Sequence, residues 1–143
     1  MNWEKEAIND LKTYRARKGS IENVKEKIKA LELQARDPKG CSITSSGGGA
    51  ASHEDVLINN IAERGRLTLL VTTTEMLIGA IENGLKQCTE QQRRILEIAF
   101  INHTPNYIDV LSKEFGYEKT KIYELRRKAI RQFTIALYGI TDL

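Results

Sequence analysis

The sequence contains little of what disulfide cross-links, zinc sites or membrane spans require. Among 143 residues there are only two cysteines, two prolines and one tryptophan, and aromatic side chains make up 6%. Cys41 and Cys88 belong to no Cys-x-x-Cys or Cys-x-His group, so neither a disulfide framework nor a zinc site is supported. No apolar run approaches the roughly 18 residues that span a bilayer, and the first twenty residues hold no apolar block of a secretory signal. We therefore expect a cytoplasmic protein without membrane contact.

Residue patterns that carry chemistry are also missing. His53 and His103 have no neighbours at metal-ligand spacing, and both fall at predicted helix ends. The glycines at 47–49 follow no strand pattern and precede no Lys-Ser or Lys-Thr pair, which excludes a phosphate-binding loop. No Ser/His/Asp set or pair of pocket carboxylates emerges. We expect no enzymatic activity, no catalytic residue, no metal and no cofactor.

Helical periodicity predicts an all-α fold in two parts. Apolar residues recur every three or four positions along most of the chain, and Pro38 and Pro105 interrupt it. Residues 37–52 are rich in glycine and serine, which predicts a flexible loop. We interpret residues 1–84 as a long, coiled-coil-like helical hairpin around this loop. Residues 89–139 are interpreted as a separate three-helix domain.

Both helices of the predicted hairpin are amphipathic. The apolar positions of the first are Ala7, Leu11, Tyr14, Ile21, Val24, Ile28, Leu31 and Ala35. Those of the second are Leu57, Ile61, Leu67, Leu70, Val71, Thr74, Leu77, Ile78 and Ile81, before an expected stop at Asn83-Gly84. Gly19-Ser20 is expected to bend the first helix or to divide it into two. Helices with one apolar stripe each are typical of oligomerisation arms, so we expect a homo-oligomer formed through residues 1–84.

The last third of the sequence begins with a capping box, in which Thr89 and Gln92 have the spacing that satisfies two helix-terminal amides. A second helix is expected to open at Thr104-Pro105, because proline lacks the N–H that the first helical position leaves unpaired. Gly116 then occupies the position where a left-handed residue ends a helix.

Residues 108–127 have the pattern of a helix-turn-helix motif. Apolar residues lie on both sides of Gly116, and Ser112 is small where the motif needs a small side chain. A longer third helix should then begin near Glu118 or Lys119 and end before Gly139.

The basic residues are concentrated on this third helix. The whole chain has a net charge of only +3, whereas residues 117–132 contain six basic and two acidic residues. A basic helix with this geometry fits the major groove of duplex DNA, where phosphate neutralisation supplies much of the affinity. We predict that the DNA-contacting residues are Lys119, Thr120, Lys121, Tyr123, Glu124, Arg126, Arg127, Lys128 and Arg131.

Two runs of sequence, residues 89–97 and 116–129, resemble region 4 of the sigma-70 class of transcription factors. The recognition helix of that class usually opens with a serine and a basic residue, and here Glu118 stands where the serine is commoner. The layout of the whole chain is similar to that of small phage regulators of the ArpU and RinA type. This resemblance implies an activator of phage or prophage late genes in the bacterial host cell. Activation would follow from contact with RNA polymerase or from oligomerisation on the promoter.

Three alternatives fit parts of the pattern. A phage small terminase subunit also joins a helix-turn-helix to a helical oligomerisation segment, although its DNA-binding unit is usually N-terminal. A sigma-like subunit would bind RNA polymerase directly. A structural adaptor would use its basic helix to dock an acidic protein, and its behaviour towards DNA would not depend on salt.

Overall fold

The computed structural model describes residues 1–36 and 52–143. Its regular elements are helices, which confirms the expected all-α class for this part of the chain. In chain order they are α1 (Trp3–Arg36), α2 (His53–Lys86), α3 (Glu90–Leu96), a π-helical turn (Glu97–Ile101), α4 (Tyr107–Phe115) and α5 (Lys119–Tyr138). Residues 37–51 of the predicted loop lie outside the described residues. None of the helices has an apolar stretch of the length that crossing a bilayer requires.

Local sequence signals determine several helix ends. Gln92 donates its backbone N–H to Thr89 Oγ1 at 3.1 Å, and Thr89 N–H donates to Gln92 Oε1 at 3.0 Å, so the predicted capping box is present. Gly116 (φ 72°) and Gly139 (φ 68°) end α4 and α5 in the left-handed conformation that favours glycine. These interactions involve residues at most four positions apart, which is why the sequence predicts them.

Two other expected boundaries are wrong, and the first helix is not divided into two. Helix α4 begins at Tyr107 rather than at Pro105, because Asn106 adopts a left-handed conformation (φ 58°) that interrupts the helical path. Helix α2 continues past Gly84 to Lys86. Helix α1 is continuous through Gly19-Ser20, and a Cβ added at Gly19 would meet nothing within 4 Å.

The described chain divides into two compact units. The first unit comprises residues 1–17 and 77–143, so the beginning of α1 and the end of α2 belong with the C-terminal helices. Its core joins all of these elements, and the largest fully buried apolar side chains in it are Leu11, Ile81, Ile95, Leu96, Leu111, Ile122 and Phe133.

Contacts between α1 and α5 close the first unit. The Trp3 and Tyr138 rings lie 5.0 Å apart between centroids. Tyr138 Oη donates a 2.7 Å hydrogen bond to Asp10 Oδ2, and Asp10 also pairs with Arg17. Burial and the hydrogen bond to Asp10 raise the pKa of the Tyr138 phenol, so it stays protonated as the donor of this bond at neutral pH.

A tight contact explains why Gly84 lies inside α2 instead of ending it. A Cβ added at Gly84 would lie 3.1 Å from Phe133 Cε2, so the glycine makes room for the buried Phe133 ring. Gly79, on the same helix, has nothing within 4 Å of its Cβ position. The sequence signal of a helix stop at Gly84 is therefore overridden by packing against α5.

Replacing Gly79 with alanine is expected to raise the free energy of unfolding by up to about 1 kcal/mol, because glycine is the poorer helix former. Gly84→Ala gains the same helix propensity but pushes the Phe133 ring, so we expect little net gain or a loss. Urea unfolding of the two variants measures the difference. Equal stabilisation by both substitutions would contradict the packing role of Gly84.

The second unit, residues 18–76, consists of parts of α1 and α2. Lys25 Nζ lies 3.2 Å from Glu75 Oε1, and Asn60 Nδ2 donates to the Leu31 carbonyl at 2.9 Å, so the helices run in opposite directions here. Asn60 also accepts a 2.7 Å hydrogen bond from Arg64 Nε. A buried asparagine with satisfied partners between paired helices favours one register.

The apolar stripe expected on α2 is only partly used inside this unit. Leu67 and Val71 are buried, and Leu57 and Thr74 are half-buried. Ile61 and Leu70, which the sequence places in the same stripe, are 54% and 44% exposed. The α2 residues that pack against α1 therefore follow a narrow heptad seam rather than the broader stripe that the sequence predicts.

Candidate nucleic-acid interface

The connection between α4 and α5 is a three-residue turn built on Gly116. The Gly116 N–H donates to the Ser112 carbonyl at 2.9 Å, which ends α4. The Ser112 hydroxyl donates to the Tyr117 carbonyl and closes the turn. The sequence singles out Ser112 for its small size alone, and the structure adds this hydrogen bond to its role.

The inner face of α5 fixes which side chains point outward. Ile122, Ala129, Ile130 and Phe133 are buried in the core of the first unit. Residues three or four apart share a helix face, so the opposite face of α5 is directed to solvent. Eight of the nine predicted DNA-contacting residues are exposed: Lys119, Thr120, Lys121, Tyr123, Glu124, Arg127, Lys128 and Arg131.

These eight residues form what we call the α5 outer face. Thr120, Glu124, Arg127 and Arg131 are spaced by four, three and four positions, so they follow one line along the helix. The other four exposed residues flank this line on its two sides. The α5 outer face thus carries five cationic side chains and a single carboxylate.

Three of the five cations are engaged in ion pairs. Lys119 Nζ lies 2.9 Å from Asp109 Oδ1 of α4, and this hydrogen bond raises the pKa of Lys119. Glu124 Oε1 lies 3.2 Å from Lys128 Nζ, and Glu124 Oε2 lies 3.8 Å from Lys121 Nζ. The hydrogen bond from Lys128 and the charge of Lys121 lower the pKa of Glu124, so its carboxylate remains ionised at neutral pH.

Arg127 and Arg131 differ from these three cations. Neither has an ion-pair partner within 4 Å among the described residues, and both are exposed. Their guanidinium groups are available to an external anion without breaking an internal pair. They are therefore the strongest candidates on this surface for contact with phosphate.

Arg126 does not belong to the α5 outer face, although the sequence groups it with Arg127 and Lys128. Its guanidinium carbon lies 5.3 Å from the centroid of the Phe100 ring and 5.9 Å from that of Tyr107. Its Nε is buried and has no hydrogen-bond partner in the part of the chain that the structure describes. Arg126 thus packs α5 against the π-helical turn and α4.

A second contact that the sequence does not reveal ties α3 to α4. Arg94 Nε lies 3.1 Å from Glu114 Oε1, and Arg94 Nη1 lies 3.5 Å from Glu97 Oε2. These groups and Phe115 border a hollow of about 660 Å³. Two arginines, Arg93 and Arg94, line the hollow together with three glutamates, so it offers no net positive charge to an anion.

The described residues contain no group of three or more His, Cys, Asp or Glu side chains that could hold a metal ion. His103 Nδ1 lies 3.0 Å from the Ala99 carbonyl, and its ring packs edge-on against Tyr107. Both contacts of His103 are with residues four positions away in the sequence.

Comparison of the chain with protein-family models, with curated proteins and with solved structures gives no match.

Proposed function

We propose that the chain binds duplex DNA in a sequence-directed manner, with the first half of α5 in the major groove. The observation that carries this proposal is the α5 outer face, on which five cations lie opposite the buried face of a helix that follows a tight turn. A helix about 10–12 Å across fits a major groove about 12 Å wide.

The residues of the α5 outer face divide by position into two roles. Lys119, Thr120 and Tyr123 lie near the start of the helix, where recognition helices contact base edges. Arg127 and Arg131 lie further along and form no ion pair within 4 Å with the described residues, which suits contact with backbone phosphates. Glu124 would accept a hydrogen bond from a cytosine amine or keep Lys121 and Lys128 in place.

The regulatory part of the proposal rests on the resemblance to sigma-70 region 4 and to ArpU- and RinA-type phage regulators. On this basis the chain activates transcription of phage or prophage late genes in the cytoplasm of a bacterial host. RNA polymerase is the second partner that the resemblance implies. Footprinting on the DNA around the chain's own gene, followed by transcription from any protected promoter, tests this part separately.

The salt dependence of DNA binding tests the proposal. If the α5 outer face neutralises four or five phosphates, a plot of log affinity against log salt should have a slope of about −4. Fluorescence anisotropy with a labelled duplex, measured over a series of salt concentrations, gives this slope. Absence of binding, or binding that does not change with salt, would contradict the proposal and favour an adaptor that docks an acidic protein.

Sequence direction needs its own measurement, because phosphate contacts bind every duplex. Selection from a random duplex pool should enrich a defined motif if base edges are contacted. Variants of Thr120 and Tyr123 should then change the enriched motif, while variants of Arg131 should weaken binding to all sequences alike. Recovery of an unenriched pool would reduce the proposal to non-specific DNA binding.

A further inference from the structure

Helix α2 carries two heptad rows on opposite faces within the second unit. The first row faces α1 and is buried or half-buried, and its members are Leu57, Asn60, Arg64, Leu67, Val71 and Thr74. The second row, which we call the α2 outer row, consists of Ile58, Ala62, Gly65, Leu69, Thr72 and Met76. Both rows alternate steps of three and four residues, which is the spacing that keeps a seam facing a partner helix.

The α2 outer row is exposed, and none of its members is charged. Ile58 is 54% exposed, Leu69 66% and Met76 69%, and the smaller members are also exposed. Large apolar side chains at coiled-coil spacing on an open helix face are typical of an interface. The described part of α1 covers the other row, so it leaves this one open.

The spacing of the α2 outer row makes it complementary to itself. Its steps of four, three, four, three and four are symmetric about position 67. If a second α2 lies antiparallel across a two-fold axis at that position, Ile58 faces Met76 of the partner subunit. Ala62 then faces Thr72 of the partner subunit, and Gly65 faces Leu69 of the partner subunit.

Gly65 provides the space that such a pairing needs at its centre. A Cβ built at Gly65 would have nothing within 4 Å, so a large side chain can be seated there. Arg66 lies beside the axis in both copies, but its guanidinium is held at 2.7 Å by Glu63 of the same helix. The centre of the pairing thus combines a small and a large residue, without an uncompensated charge.

The area of the contact is sufficient for a weak dimer. From Ile58 to Met76 the row is about 27 Å long at 1.5 Å per residue. Covering half the circumference of two helices over that length removes on the order of 1,000 Å² from solvent. This is near the lower limit of area for a specific interface, so we expect the association to be weak.

We propose that a second copy of this chain docks on the α2 outer row, with the two α2 helices antiparallel about a two-fold axis. Residues 37–51, outside the described part, contain Ile43 as their only large aliphatic side chain, which is too little to match Ile58, Leu69 and Met76. The proposal gives a surface and a geometry to the expected homo-oligomer. It does not depend on DNA binding.

Sedimentation equilibrium of the full chain without DNA, from micromolar to hundred-micromolar concentrations, tests the dimer. The unmodified chain should approach twice the mass of one chain, while Leu69→Lys and Met76→Lys should weaken association at least tenfold. Leu33→Lys is the matched control, because Leu33 is 64% exposed but lies on α1. A monomer throughout, or a dimer that both row variants leave intact, would overturn the proposal.

Cysteine cross-linking tests the geometry independently of how the lysine variants fold. The test uses a Cys41→Ser background, which leaves Cys88 as the native cysteine. Because Cys88 is buried, an introduced cysteine is then the accessible thiol. Position 62 of one copy faces position 72 of the other, so neither Ala62→Cys nor Thr72→Cys alone should form a disulfide-linked dimer on oxidation. A mixture of the two variants should form one. Cross-linking of either variant by itself, or none in the mixture, would overturn the antiparallel arrangement.

Discussion

Replacing Arg127 and Arg131 together with glutamine is expected to weaken duplex DNA binding by on the order of 100-fold at about 0.1 M salt. Each guanidinium is exposed and unpaired within the described chain, so each is assigned one phosphate contact. Losing two contacts should also make the salt slope shallower by about two units. Anisotropy titrations at several salt concentrations measure both quantities.

The matched control removes two positive charges elsewhere. Lys12 and Lys27 are exposed residues of α1, and a Lys12→Gln/Lys27→Gln variant has the same net charge as the double arginine variant. It should keep nearly all of the affinity and the full salt slope. Equal losses in the two variants would show that net charge, rather than the α5 outer face, governs binding.

The second large effect concerns stability and distinguishes two adjacent arginines. Arg126→Glu is expected to lower the free energy of unfolding by about 3 kcal/mol, because it replaces a cation between two rings with a poorly solvated carboxylate. For a chain of this size that corresponds to a melting temperature lower by roughly 10 °C. Arg127→Glu reverses an exposed charge and should change stability by less than about 0.5 kcal/mol.

Thermal unfolding followed by circular dichroism compares these two variants with Arg126→Met. The methionine keeps apolar bulk against Phe100 and Tyr107 but loses the cation, so its loss of stability should lie between the other two. If Arg126→Glu melts at the same temperature as Arg127→Glu, the packing role of Arg126 is refuted. Reversing the charges of Arg126 and Arg127 together would not separate the loss of a DNA contact from unfolding of the domain.

Features controlled by near neighbours in the chain could be predicted from the sequence. The capping box at Thr89 and the left-handed Gly116 and Gly139 depend on hydrogen bonds that span at most four residues. The exposed side of α5 followed from the spacing of Ile122 and its buried neighbours. Local chemistry and helical periodicity were therefore enough for the helix class and for the exposure of eight of the nine residues predicted to contact DNA.

Features set by contacts distant in the sequence could not be predicted. Gly84 carries a stop signal that packing against Phe133, 49 positions later, overrides. Arg126 looks like one of three equivalent basic residues until the rings of Phe100 and Tyr107 are placed beside it. The left-handed Asn106 delays the start of α4 beyond Pro105, and nothing in the spacing of apolar residues indicates this.

The hydrogen bond between Asp10 and Tyr138 has a consequence for biosynthesis. The two residues are 128 positions apart, so the first unit cannot close on the ribosome until nearly the whole described sequence has emerged. Until then Ala7 and Leu11, which become buried, have no partners in α5. These residues of α1 are therefore synthesised well before the α5 residues that share their core, and they reach their final environment only after α5 has emerged.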